Sequence, residues 1–235
     1  MSETIAFVGA AGGAGTTRLT FECAKLLAHE GRDTIVLDAA YGTQGLADRI
    51  SGRIAPDMTQ LCLDDEPLES GTIDQTIDGA GRLAVCPAHA PFERLARAKT
   101  VEAAERFEQR IEEATRHFEF VLVDTPPIAA NQAVAAVHAV QTIAVVCDST
   151  RAEDAVPRTL DRLLDIGVER SSTLVTGTTE HPDADVTIPT FDASEPALDH
   201  DAAAHGALLD VIELLTGVSI ERHTSDSVLE KLSFG

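Results

Sequence analysis

One stretch of the chain combines residue types and spacing that could do chemistry: Gly9-Ala10-Ala11-Gly12-Gly13-Ala14-Gly15-Thr16-Thr17-Arg18. It lies between a short apolar run, residues 5–9, and a segment, 17–30, in which Leu19, Cys23, Leu26 and Leu27 recur at helical spacing. A Gly-rich turn that opens a helix aims successive backbone N–H groups and the helix N-terminus at one point, which makes it a cradle for an anion such as a nucleotide phosphate. Glycines at 12, 13 and 15 let the backbone turn tightly and approach the phosphates, and the Thr17 hydroxyl falls where a Mg²⁺ ligand is needed. The rival reading is a Gly-rich turn with no ligand. Two carboxylates, Asp38 and Asp124, close other apolar runs.

The elements that must carry these residues follow from the hydrophobic pattern. Strand-length apolar runs at 5–9, 34–38, 83–86, 120–124, 142–147, 173–176 and 186–188 alternate with helix-period segments at 17–30, 91–117, 129–138, 152–166 and 202–215. That alternation predicts right-handed βαβ units, hence an α/β fold with a doubly wound, mostly parallel sheet and helices on both faces. No linker composition and no internal repeat divides the chain. One domain over residues 1–217 and a tail over 218–235 are expected. In the 91–117 helix, Glu93 with Arg97, Glu102 with Arg106 and Glu112 with Arg116 stand at i,i+4, predicting a solvated face laced with salt bridges.

Composition narrows the function classes. The 235 residues carry 18 Lys+Arg against 39 Asp+Glu, a net charge of −21, and the only lysines are Lys25, Lys99 and Lys231. A surface that binds nucleic acid needs clustered cations, so no nucleic-acid partner is expected. High Asp and Glu with scarce Lys is the balance of a protein adapted to molar salt, where carboxylate self-repulsion is screened within a few Å. Cys23, Cys62, Cys86 and Cys147 are far apart without a C-x-x-C pair, and read as small buried hydrophobes in a reducing cytosol. The N-terminal run to Gly9 has neither a basic leader nor the length of a membrane span, so a cytoplasmic protein is expected.

The order of elements and five stretches resemble the MinD/ParA group of deviant Walker A P-loop ATPases over roughly residues 4 to 217. Gly12-Gly13-Ala14-Gly15-Thr16-Thr17 is similar to that family's K-G-G-x-G-K-T-[ST] loop with both lysines gone. Ala11 takes the signature Lys position and Thr16 the Walker Lys position. The run Ile35-Val36-Leu37-Asp38-Ala39-Ala40-Tyr41-Gly42 resembles the D-x-D-x-x-G switch I segment, with Ala40 in place of the second, water-positioning carboxylate. Phe118 to Pro127 is similar to Walker B and switch II. Residues 140–165 match the unit that follows, with its polar Asp148-Ser149-Thr150 end. Ile188-Pro189 keeps the family's I-P element, while the adenine-reading Asn after the preceding strand is missing from Leu174-Val175-Thr176-Gly177-Thr178.

The resemblance implies ATP and Mg²⁺ as ligands, with Gly12, Gly13, Ala14, Gly15, Thr16, Thr17 and Arg18 around the nucleotide and Thr17, Asp38 and Asp124 around the metal. It also implies a homodimer, and a function in positioning a protein partner inside the cell. A Walker Lys makes charge-assisted hydrogen bonds worth about 1.5–3 kcal/mol. An inserted cation in phosphoryl transfer is worth roughly 10³–10⁵ in rate. Without the lysines and the second carboxylate, no residue is assigned a catalytic role and little hydrolysis is expected, as in the TadZ/CpaE branch, whose loops are often degenerate in this way. The alternative is an active MinD-type ATPase that cycles on a membrane with Arg18 as its cation, although Arg18, one residue past Thr17, suits an α-phosphate better than a γ-phosphate. The tail places Val228, Leu229 and Leu232 on one helical face near Phe234, where MinD has its membrane-targeting helix. With Lys231 as its lone lysine, beside Glu230 and Asp226, it lacks the basic face of a lipid-binding helix, and membrane targeting, docking on protein and a frayed end all remain open.

Overall fold

The computed structural model describes residues 2–190 and 204–220. The chain runs β1 (Glu3–Gly9), α1 (Thr16–His29), β2 (Thr34–Asp38), α2 (Met58–Asp64), β3 (Ile73–Gln75), β4 (Leu83–Cys86), α3 (Phe92–Arg97) and α4 (Val101–Ala114). It continues with β5 (Phe120–Thr125), α5 (Asn131–His138), β6 (Thr142–Asp148), α6 (Ala152–Asp165), β7 (Ser172–Thr176), β8 (Val186–Ile188) and α7 (His205–Thr216). The eight strands form one sheet in the order β3-β4-β2-β5-β1-β6-β7-β8. Every pairing is parallel except that of β3, which runs antiparallel to β4.

The sheet is covered on both faces, which is why its strands read as continuous apolar runs rather than alternating ones. Ile5 and Phe7 of β1 pack with Leu19, Leu26 and Leu27 of α1 and Leu208 and Ile212 of α7 on one side. Ala6 and Val8 face the other side, with Phe107 and Ile111 of α4, Val137 of α5 and Val156 of α6. Each large aliphatic side chain so enclosed stabilises the fold by roughly 1.5–3 kcal/mol. The four cysteines are buried and free. Burial pushes the Cys23 thiol above its ordinary range, which keeps it an inert packing group.

The structure corrects two expectations. The segment expected as one helix over 91–117 is two, α3 and α4, because the Thr100 hydroxyl accepts a hydrogen bond from the Ala103 N–H at 3.3 Å and starts a new helix there. Its solvated face is also only partly laced. Among the described residues Glu112 pairs with Arg116 at 2.7 Å, while neither the 93–97 nor the 102–106 pair forms. Arg106 instead donates to the carbonyls of Cys62 (3.1 Å) and Leu63 (2.7 Å), and buried Arg110 to that of Glu66, so the two side chains cap the C-terminal end of α2. The helix α2 and the edge strand β3 are additional to the elements expected. The expected tail is described only to Ile220, so the face formed by Val228, Leu229, Leu232 and Phe234 lies outside the described residues.

Candidate functional site

The Gly-rich segment leaves the C-terminal end of β1, at the middle of the sheet, and enters α1 through Gly13 and Gly15. Both adopt left-handed backbone, φ 77° and 84°, a conformation that costs side-chain-bearing residues about 1 kcal/mol or more. The loop is braced from outside. Arg151, held by Asp148, donates to the Gly12 carbonyl at 2.7 Å, and the Thr176 hydroxyl donates to the Ala14 carbonyl at 3.1 Å. No side chain caps α1, and its first turn contains no acidic residue. By contrast α2 is capped by Asp57 and α4 by Thr100. The positive end of a 14-residue helix is therefore left available to an anion.

A cavity of about 310 Å³ opens in front of this helix end. Of the residues expected around a nucleotide, Gly12, Gly13, Ala14, Gly15, Thr16, Thr17 and Arg18 all line it, together with Ala11, Ala40 and Asp124. At the two places where the resemblance puts lysines there is only a methyl group and a hydroxyl. The Thr16 hydroxyl is tucked inside the loop, since a Cβ on Gly9 would stand 2.9 Å from it. Ala40 presents a methyl where the resemblance places a water-positioning carboxylate.

The two carboxylates sit side by side, because Asp38 of β2 and Asp124 of β5 are register partners. Their surroundings differ. Asp38 accepts the Ala40 N–H at 2.7 Å and the Ala88 N–H at 3.1 Å, so both of its oxygens hold backbone, and it does not line the cavity. Burial, and then the Asp124 charge beside it, push its carboxyl up to about 8. Burial raises Asp124 to about 6, opposed by a hydrogen bond from the Thr17 side chain and by the charge of Arg49. One Asp124 oxygen, Oδ2, is buried without a hydrogen-bond partner. An orphaned carboxylate oxygen beside the Thr17 hydroxyl, at the mouth of an anion cradle, fits the donor set of a Mg²⁺ ion held through oxygen ligands and water.

A second hollow, about 200 Å³, continues from Gly13 and Arg18 to Thr176, Gly177, Ile188 and Pro189 at the ends of β7 and β8. Arg18 borders both hollows, which places it beside the loop rather than at the Asp124 end. A wider groove of about 750 Å³ lies at the opposite end of the strands among Glu105, Glu108 and Glu112, and is unsuited to an anion. Sequence reasoning missed Thr43, Gly45 and Arg49, which enter the cavity wall from the segment after β2. A basic residue eleven positions beyond Asp38 was the one signal for Arg49, and its distance to the loop is set by folding.

No family model matches the chain, and no characterised protein matches it in sequence. Solved structures match it closely in shape. The septum site-determining protein MinD of Pyrococcus horikoshii OT3, complexed with Mg-ADP, superposes with a TM-score of 0.70 at 15% identity, over 91% of this chain and 96% of that one. The MinC:MinD cell division complex of Aquifex aeolicus gives 0.70 at 22% identity, over 95% and 99%. Cobyrinic acid a,c-diamide synthase of Mycobacterium smegmatis, with bound ADP and magnesium, gives 0.70 at 16%, over 95% and 100%. The eight-stranded, mostly parallel sheet with its Gly-rich loop at the end of the central strand thus has the fold of the MinD/ParA P-loop NTPases.

Proposed function

We propose that this chain is a MinD/ParA-like nucleotide-binding protein that takes Mg-ATP in the cavity before α1, hydrolyses it slowly or not at all, and acts as a scaffold that positions a protein partner, as a homodimer. The observation that carries this reading is the mismatch within one cavity. The helix end, the glycines and the unpartnered Asp124 oxygen suit a magnesium-bound phosphate chain, while Ala11, Thr16 and Ala40 occupy the places of the groups that would drive its hydrolysis. Mg-ADP in the archaeal MinD structure and ADP with magnesium in the synthase support the ligand class. The MinC:MinD complex supports a protein partner.

In this reading Thr17 and Asp124 hold the metal and its water shell, and Asp38 fixes the backbone that positions Asp124's neighbours rather than reaching the ligand itself. Bound Mg²⁺ supplies charge neutralisation to the phosphate chain. The loop amides and Arg18 orient the phosphates nearer the base. Among the described residues no helix is long and apolar enough to cross a membrane. The test is titration of the purified protein with labelled ATP in molar KCl and Mg²⁺, followed by a turnover assay. Binding with turnover far below that of a family member with both lysines is expected. Turnover of several per minute that Thr17→Ala abolishes would favour the second reading, an active MinD-type ATPase served by Arg18, which also lines the cavity.

A further inference from the structure

We propose that Arg49 is the cation for the terminal phosphates, supplied from the segment after β2 in place of the lysine the loop lacks. The inference rests on the nucleotide reading above and names the residue that would make it work.

The charged residues lining the cavity are Arg18, Arg49 and Asp124, two cations and one carboxylate on a chain of net charge −21. The arginines stand at different ends. Arg18 borders the hollow that runs to β7 and β8, whereas Arg49 shares its wall with Thr43, Gly45 and Asp124, the end where the metal and the last phosphates belong. Arg49 and Asp124 line the same cavity, near enough for the two charges to interact. It forms no salt bridge among the described residues, unlike Arg94, Arg106, Arg110 and Arg151, which are engaged with carboxylates of the protein.

The segment that carries Arg49 is built to arrive there. Gly45 lies against Thr17, close enough that a Cβ on it would stand 3.4 Å from the Thr17 hydroxyl, so this segment packs directly on the start of α1. The Thr43 hydroxyl donates to the Ala40 carbonyl at 3.1 Å, and the Gln44 side chain donates to the Ala90 carbonyl at 2.9 Å. Leu46 and Ala47 are buried, so the single turn of 3-10 helix over Ala47–Arg49 is anchored on one side and presents Arg49 on the other. A guanidinium offers paired donors to phosphate oxygens, a geometry an ammonium lacks.

The test compares wild type, Arg49→Ala and Arg49→Lys for binding of ATP, AMP and inorganic triphosphate, each with Mg²⁺ at constant high KCl, with urea unfolding of every variant as the control for folding. Arg49→Ala should weaken ATP and triphosphate by about tenfold or more, as loss of a charge-assisted contact predicts, and leave AMP within about twofold. Arg49→Lys should recover part of the loss, and the urea midpoint should stay put. Equal binding of ATP and triphosphate by wild type and Arg49→Ala would overturn the assignment while leaving the nucleotide reading intact. Wild type that binds triphosphate but not ATP would overturn the nucleotide reading, and the Arg49 comparison would then be decided on triphosphate. Wild type that binds neither overturns both.

Discussion

Asp57 and Asp124 are carboxylates of equal burial, 1% exposed each, and the fold treats them in opposite ways. Asp57 opens α2 and is fully engaged. It accepts the Thr59 hydroxyl, the His89 N–H and Arg94 Nη2, each at 2.8 Å, and more loosely the N–H groups of Gln60 and Thr59 at 3.3 and 3.4 Å. Asp124, at the end of β5, has the Thr17 side chain and an oxygen with no partner at all. A buried polar atom left unsatisfied costs about 1–3 kcal/mol, and such a cost is retained where a ligand completes the set. The first carboxylate is spent on holding the structure, and the second keeps one oxygen without a partner.

Substitution should separate the two. Asp57→Ala removes a helix cap and strands several donors, so we expect a loss of about 3 kcal/mol in urea unfolding, roughly a hundredfold in the folding equilibrium. If Asp57→Ala unfolds at the wild-type urea midpoint, the distinction between the two carboxylates is wrong. Asp124→Ala should leave stability unchanged or improved and weaken ATP binding in Mg²⁺ by about tenfold or more, with little change in EDTA. Equal losses in the two buffers would point to damage to the fold instead of to the metal.

Restoring the missing charge should sharpen the contrast from the other side. Thr16→Lys is expected to tighten ATP binding by about tenfold, measured by the same titration, because it returns a charge-assisted contact to a loop whose backbone is already formed. Unchanged affinity would mean that the loop holds its side chain at 16 away from the phosphates.

The smallest effect concerns pH. Asp38 and Asp124 have carboxyls raised from 3.8 to about 8 and about 6 in the fold, so the folded protein keeps protons that the unfolded chain has released. Their contribution to stability is complete below pH 3.8 and is lost as pH rises toward 8. Urea midpoints measured across that window should fall with pH, and Asp38→Asn should flatten the slope. A midpoint that rises steadily from pH 5 to 8 would contradict the raised carboxyls.

How legible all this was in the sequence depended on length and on distance along the chain. The strands that a helix covers on each side, such as Thr34–Asp38 and Phe120–Thr125, were plain because burial on both faces demands unbroken apolar runs. The Gly-rich loop at the start of α1 was plain because its signal is local, with glycines, hydroxyls and a helix start within ten residues. The helix α2 is seven residues long and β3 is three with a central Asp74, too short for either to show a period. The i,i+4 pairs of the 91–117 segment misled because that rule knows only the helix itself. In the fold, the carbonyls of Cys62 and Leu63 compete with Glu102 and take Arg106.

Residue types and near neighbours therefore determined the class of fold, the place of the anion cradle and the absence of its lysines, since each rests on contacts within a few residues or on a periodicity. Only the tertiary structure decided which carboxylate is fully satisfied and which keeps an unpartnered oxygen, because the deciding partners come from far along the chain, His89 and Arg94 for Asp57 and Ala88 for Asp38. The same holds for Arg49. Its place beside Asp124, seventy-five residues further along the chain, follows from two parallel strands paired in register and from the packing of the segment after β2 against Thr17.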